Sequence, residues 1–171
     1  LAHERRAFLG TVVGRTDEMR RMSQALTIVE QGASAAFVLR GEPGIGKSRL
    51  IADMASRARE RGMRIAWGAG YSLETGSVYF PWRQIFAQML SANEDVDEAS
   101  ARRAAAAIVS DDERLTSWLP LLDDVLPLHF MPTEVTEQMS SQARAASLRV
   151  LVVGFAMRLT RIKPLLLIAD D

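Results

Sequence analysis

The chain has 171 residues, of which 48% are apolar and 25% charged, and its 21 basic residues balance its 21 acidic residues. This length suffices for one domain with a hydrophobic core, and the composition is typical of a globular protein. The lack of cysteine excludes disulfides, thiol catalysis and cysteine-based zinc sites, and it favours a cytoplasmic protein. The zero net charge favours a protein without direct nucleic-acid or membrane partners.

The first part of the chain is interpreted as a linker followed by a helix. The sequence starts with leucine rather than methionine and has no signal-peptide pattern, so we expect a piece cut from a longer protein. Residues 1–10 are assigned to a linker, and residues 11–171 to one domain. Apolar residues at helical spacing predict a helix over residues 17–31, with Thr16 as its N-cap.

A glycine-rich loop between an apolar run and a helical pattern is the strongest motif. Residues 35–40 are predicted to form a strand, and residues 47–61 a helix. The eight residues joining them fit G-x-x-x-x-G-K-[ST], the phosphate-binding P-loop. They are Gly41, Glu42, Pro43, Gly44, Ile45, Gly46, Lys47 and Ser48.

The residue types in this loop suit a nucleoside triphosphate. Gly41, Gly44 and Gly46 lack a Cβ, so neighbouring backbone N–H groups can point together at a phosphate. The helix that follows adds free N–H groups and the positive end of its dipole. We expect Lys47 to reach the β- and γ-phosphates and the Ser48 hydroxyl to bind Mg²⁺.

The middle of the chain is predicted to continue the sheet and then become helical. A short strand over residues 63–68 completes a βαβ unit, which implies a parallel sheet. A helix is predicted over residues 81–90, and its apolar stripe is interpreted as core rather than as a base-stacking platform. That stripe consists of Trp82, Ile85, Phe86 and Met89.

Further helices are predicted over residues 100–109 and from Asp111 or Asp112 to Trp118. Residues 120–133 are interpreted as a long irregular connection or short turns, in which His129 has a packing role. One long helix is predicted from residue 137 to residue 162.

The chain ends in an apolar run followed by two aspartates, the Walker B pattern. Residues 165–169 are predicted to form a buried parallel strand, at whose carboxyl edge ligands bind in open α/β sheets. Asp170 is the candidate for the magnesium shell beside Ser48. Asp171 is the candidate catalytic residue that polarises an attacking water, and its short side chain favours slow hydrolysis.

Three segments together resemble the AAA-type ATPase domain of bacterial multi-domain signalling proteins. They are residues 12–15, residues 41–50 and residues 167–171, and the aromatic segment 78–82 is similar to one in that family. The resemblance covers residues 8–171. In that family the domain follows cyclase catalytic domains or precedes DNA-binding domains.

The resemblance implies an α/β fold, the P-loop NTPase three-layer sandwich with a parallel sheet, and ATP and Mg²⁺ as cofactors. Relative to it the sheet is incomplete, because the sensor strand and the helical lid are missing. We therefore expect strands 35–40 and 165–169 to pair directly or to leave a gap. The resemblance also adds candidate nucleotide contacts, some near the base or ribose and one beside the glycine loop. They are Val13, Gly14, Arg15 and Arg49.

The leading hypothesis is an ATP-binding regulatory module of a larger signalling or transcription-regulatory protein. The parent protein is expected to hydrolyse ATP, with slow or absent hydrolysis in this chain and neighbouring domains as partners. One alternative is a small-molecule P-loop kinase, which needs an arginine-rich lid and an acceptor site. Another is an interaction domain whose P-loop is a relic, against which the intact Lys47 and Ser48 argue.

Overall fold

The computed structural model describes residues 14–70, 80–90 and 97–170. The predicted linker, residues 1–10, lies outside these ranges. The described helices and strands are α1 (Thr16–Glu30), α2 (Lys47–Glu60), β1 (Arg64–Ala69), α3 (Phe80–Leu90), α4 (Glu98–Ile108), α5 (Glu113–Ser117), a 3₁₀ helix (Leu119–Asp124), α6 (Glu134–Glu137), α7 (Ser141–Thr160) and β2 (Leu165–Asp170). The chain divides into two compact units, Leu1–Ile65 and Ala66–Asp171.

In the first unit, α1 and α2 pack side by side and run in the same direction. Arg15, at the start of α1, reaches Ile45 just before α2. Arg61, just after α2, donates to Thr27 Oγ1 at 3.2 Å and pairs with Glu30 Oε2 at 3.3 Å. Their apolar faces are buried at helical spacing, as amphipathic surface helices require. The buried residues of the two helices are Met22, Ala25, Leu26, Leu50, Ala55 and Ala58.

The predicted strand over residues 35–40 is wrong. The structure gives these residues no strand, and Phe37 and Val38 are 45% and 78% exposed. A strand is defined by ladder hydrogen bonds to a neighbour, and residues 35–40 make none with the described chain. Of the two arrangements expected for residues 35–40 and 165–169, direct pairing is not made among the described residues.

In the second unit β1, from Ala66 onward, pairs with β2 in a two-stranded sheet. Gly70, just after β1, donates its N–H to the carbonyl of Asp170, the last residue of β2, at 2.7 Å. The carboxyl ends of the strands thus meet, and the sheet is parallel. The strands predicted over residues 63–68 and 165–169 are confirmed within one residue at each end. The burial predicted for the second is wrong, since only Ile168 of β2 is buried and Leu167 is 40% exposed.

The other edge of β1 is covered by two glutamine side chains of α3. Gln88 accepts from Trp67 N–H at 3.0 Å and donates to the Trp67 carbonyl at 2.6 Å. One turn earlier, Gln84 accepts from Ala69 N–H at 3.2 Å and donates to the Ala69 carbonyl at 3.3 Å. Each amide supplies the donor and acceptor that a neighbouring strand would supply, so α3 closes an edge that is otherwise open to aggregation.

Removing both amides should expose this edge. We expect Gln84→Leu with Gln88→Leu to lower the free energy of unfolding by about 2–4 kcal/mol, since four backbone groups, two of them partly buried, lose their partners. Aggregation should rise as well, because an unpaired strand edge is a template for another chain. Urea unfolding and light scattering measure the two effects. The exposed Gln142→Leu on α7 serves as the control, and a double variant as stable and monomeric as that control would contradict the expectation.

Glycine at position 68 is what lets α3 approach β1. A Cβ built on Gly68 would lie 2.0 Å from the carbonyl oxygen of Pro81 and 2.7 Å from its carbonyl carbon. Both atoms belong to the backbone of α3, which cannot rotate aside. Gly68 thus sets the distance at which Gln84 and Gln88 reach the edge of β1.

The core of the second unit lies between α3, α4, the 3₁₀ helix and α7. Ile85, Phe86 and Met89 are almost completely buried, as predicted for the stripe on α3, whereas Trp82 is 40% exposed. Leu151 and Phe155 of α7 are fully buried in the same cluster.

The long helix predicted over residues 137–162 begins four residues later than expected, since α7 spans Ser141–Thr160 and the separate short helix α6 ends at Glu137. α6 ends at Glu137, and Ser140 caps α7 by accepting from Ala143 N–H at 3.3 Å. Thr133 and Thr136 form a capping box on α6, and the Thr133 hydroxyl also donates to the Ser117 carbonyl at 2.8 Å. These local side-chain bonds compete with a continuous helix.

Two smaller predictions also need correction. Arg15, not Thr16, is the N-cap of α1, and its side chain does not cap the helix.

His129 does not pack in the core, since its side chain is 71% exposed and its Nδ1 lies 3.1 Å from Glu98 Oε2. Asp123 accepts from the backbone N–H groups on either side of His129, which turns that residue outward.

Candidate nucleotide-binding site

The glycine-rich loop adopts a conformation that requires two of its glycines. Gly44 and Gly46 have φ angles of +80° and +95°, in the left-handed region where a Cβ is strained. Gly46 is the N-cap of α2, whose first turn carries no acidic side chain. A Cβ on Gly41 would lie 3.0 Å from Ile45 Cγ2. The loop thus brings its backbone, tightly turned, to the positive end of α2.

Lys47 folds back over the loop that precedes it. Its Nζ donates to the carbonyl of Gly41 at 2.9 Å and to that of Glu42 at 3.2 Å. These bonds hold the ammonium across the mouth of the loop, close to the N-terminus of α2. A cation and free helix amides side by side favour an anion.

The remaining loop residues are accessible. Glu42, Pro43 and Ser48 are exposed, Ile45 is 49% exposed, and Arg49 is partly buried in the first turn of α2. The Ser48 hydroxyl can therefore meet a ligand from solvent.

Arg15 is joined to the loop, which its sequence context did not predict. Its Nη2 donates to the Ile45 carbonyl at 2.9 Å and its Nη1 to Glu18 Oε1 at 3.0 Å. Hydrogen bonds from its own backbone N–H and from Arg15 hold the pKa of the Glu18 carboxyl below its ordinary value of 4.5. The contact between Arg15 and Ile45 spans 30 residues, so no local pattern could have indicated it.

The two candidate aspartates lie at the end of β2. Asp170 is partly exposed at the carboxyl edge of the sheet, where its carbonyl accepts from Gly70. Asp171 and Val13 lie outside the described residues, and Gly14 is exposed with a φ of +79°. Within the described ranges, no three His, Asp or Glu side chains cluster as a metal site. Mg²⁺ does not need such a cluster, since it keeps waters and uses one or two protein oxygens with the phosphates of its ligand.

A family model for the AAA ATPase domain matches residues 11–171. The chain belongs to the AAA ATPase domain family. It is accordingly a nucleotide-binding ATPase module with an α/β fold. No curated protein and no solved structure matches the chain.

Family membership confirms the AAA-type resemblance, while the roles of individual residues in this AAA ATPase domain stay predictions. Among the helices of its described part, none combines the length and the apolar character that a membrane span requires. The structure brings Arg15, the glycine loop, Lys47 and Ser48 together in the first unit of the domain. It places Asp170 at the end of β2 in the second unit.

Proposed function

We propose that this AAA ATPase domain binds ATP with Mg²⁺ at the glycine loop. The observation that carries the proposal is the position of Lys47 Nζ, 2.9 Å from the Gly41 carbonyl and beside the uncapped N-terminus of α2. A triphosphate entering there meets backbone N–H groups, a helix dipole and an ammonium, all of which favour negative charge. The β- and γ-phosphates are the groups that Lys47 and the loop from Gly41 to Gly46 would hold, with Arg49 beside them.

The exposed Ser48 hydroxyl is the oxygen donor that the loop offers to Mg²⁺ in this proposal, a hard ligand of the kind this ion prefers. The Asp170 carboxylate is a donor of the same kind, and its place in the magnesium shell stays a prediction. When bound, the ion would neutralise charge on the phosphates. Gly14, with Val13 before it, is the candidate for contact with the base or ribose.

Magnesium dependence tests the proposal. In calorimetric titrations with ATP we expect affinity to fall about tenfold when EDTA replaces Mg²⁺, or when Ser48 is changed to Ala with Mg²⁺ present, because the Ser48 hydroxyl would supply one oxygen ligand to the ion. Ser56→Ala, an exposed serine further along α2, is the matched control. If the unaltered chain bound ATP equally well with and without Mg²⁺, the metal assignment would be lost. If it did not bind ATP at all, the relic hypothesis would be favoured.

We propose that Asp171 orients the attacking water and that its short side chain keeps hydrolysis slow. In single-turnover assays the chain should hydrolyse ATP well below the rate of about 1 s⁻¹ at the low end of typical enzymes. Asp171→Asn should lower the residual rate about 100-fold, the contribution expected of a general base, and Asp171→Glu should raise it. The exposed Asp17→Glu is the control. Rapid hydrolysis by the unaltered chain would overturn this assignment.

We propose a regulatory role for the module within a larger signalling or transcription-regulatory protein, beside cyclase or DNA-binding domains. The resemblance of residues 12–15, 41–50 and 167–171 to that group supports it. The kinase alternative predicts a phosphorylated small-molecule product. Incubation with radiolabelled ATP and a metabolite extract would separate the two, since a regulatory module releases only labelled inorganic phosphate.

A further inference from the structure

Arg15, the residue directly before α1, is held by hydrogen bonds to both the helix and the glycine loop. Its guanidinium is fixed at both ends by protein atoms, the Ile45 carbonyl at 2.9 Å and the Glu18 carboxylate at 3.0 Å. Its side chain is 34% exposed, so the two bonds are only partly shielded from water. Arginine suits this task because its planar fork presents several donors in a fixed geometry.

The bond to Ile45 controls the orientation of one peptide group in the loop. A trans peptide is planar, and its C=O and N–H point in opposite directions. When Arg15 holds the Ile45 carbonyl, the N–H of Gly46 must face away from Arg15. Gly46 has a φ of +95°, and without a Cβ its flanking peptides rotate easily unless something holds them.

The other end of Arg15 is anchored on α1. Glu18 lies in the first turn of α1, where the helix dipole favours a carboxylate, and it accepts from Arg15. At its far end α1 is tied to the end of α2 through Arg61, which donates to Thr27 and pairs with Glu30. α1 is thus fastened alongside α2 and provides a fixed support for the guanidinium.

We propose that Arg15 is a positioning residue of the phosphate-binding loop, which it aligns through the Ile45 carbonyl, rather than a contact to the base or ribose. This inference rests on the proposed function. Arg15 keeps the Gly46 N–H oriented before the nucleotide arrives, so the phosphates bind without first ordering the loop. Preorganisation of this kind raises affinity by removing the cost of ordering.

A loop-aligning role and a base contact for Arg15 affect different parts of the nucleotide. A residue that aligns the loop changes binding of every ligand with phosphates by the same factor, and leaves the nucleoside untouched. A residue that contacts the base or ribose changes adenosine and ATP together, and leaves inorganic tripolyphosphate untouched.

The experiment measures displacement of a fluorescent ATP analogue by ATP, ADP, tripolyphosphate and adenosine. Arg15→Met keeps the length of the stem and removes the donors. We expect it to weaken ATP, ADP and tripolyphosphate alike, by about tenfold for a lost charge-assisted hydrogen bond, with adenosine unchanged. Glu18→Gln, which leaves Arg15 without its charged anchor, should give the same ligand pattern at about threefold. Arg20→Met, an exposed arginine of α1 whose bonds stay within that helix, is the control.

A second readout concerns the loop itself. The backbone amide resonance of Gly46 should shift in the nucleotide-free Arg15→Met protein and stay in place in Arg20→Met. Thermal unfolding of each variant shows whether the fold is intact, and the Glu18→Gln pattern decides the matter if Arg15→Met is unstable.

Equal losses for adenosine and ATP with tripolyphosphate unaffected would overturn the inference in favour of a base contact. Unchanged binding of all four ligands in both variants would overturn it as well. Failure of the proposed function looks different, since then the unaltered chain would not bind ATP, or Lys47→Ala would bind it equally well.

Discussion

Lys47→Ala should lose about 100-fold in affinity for ATP while the fold stays intact. The ammonium would contact two phosphates, and a hydrogen bond to a charged group contributes about 1.5–3 kcal/mol. In the structure the Nζ bonds only to the carbonyls of Gly41 and Glu42 among the described residues, within the same loop, so its removal leaves the packing of α1 and α2 unchanged. Calorimetry with ATP and Mg²⁺ measures the effect.

The chain offers a matched control, because Lys163 is its only other lysine. Lys163 is exposed beyond the end of α7, and Lys163→Ala should bind ATP normally. Labelling with an amine-reactive reagent, followed by mass spectrometry, adds an independent test on the unaltered protein. ATP with Mg²⁺ should protect Lys47 and not Lys163, and equal labelling of both with and without ATP would contradict a phosphate-binding lysine.

Gly68→Ala should lower the free energy of unfolding by about 3 kcal/mol, the upper end of the usual cost of overpacking. The added methyl would lie 2.0 Å from the Pro81 carbonyl oxygen, so α3 must move away from β1. That movement also lengthens the bonds from Gln84 and Gln88 to the edge of β1. Urea unfolding of the variant, followed by circular dichroism, measures the loss.

Gly154→Ala is an informative comparison within the same unit. A methyl there would lie 2.7 Å from Leu115 Cδ1, the end of a side chain that can rotate, and alanine is favoured over glycine in a helix by about 1 kcal/mol. We expect these effects to cancel nearly completely. A Gly68→Ala protein as stable as Gly154→Ala would show that α3 is not held against β1 at the distance described.

Local sequence patterns predicted the helices and strands that depend mainly on neighbouring residues. Helical spacing of apolar residues placed α1, α2 and α3 correctly, and the continuous apolar run before Asp170 placed β2. The glycine loop was recognisable because its conformation depends on glycine at particular positions, as Gly44 and Gly46 show.

Features that depend on distant partners could not be predicted in this way. Residues 35–40 have the composition of a strand, but a strand exists only where another strand pairs with it. The contact of Arg15 with Ile45 and the cover that Gln84 gives to β1 join residues far apart in sequence. The start of α7 was predicted four residues too early for a different reason, since its boundary is set by the Ser140 cap rather than by apolar spacing.

The glutamine pair on α3 has a mechanical consequence. Four residues of helix rise about 6.0 Å and two residues of strand about 6.6 Å, so Gln84 and Gln88 match alternate peptides of β1 and would match no neighbouring register equally well. Sliding α3 along β1 by one residue would break all four hydrogen bonds together, so α3 and β1 are expected to move as one rigid unit. Because Gly70 is hydrogen-bonded to Asp170, a displacement of the acidic tip of β2 would be transmitted to α3 and to the exposed indole of Trp82.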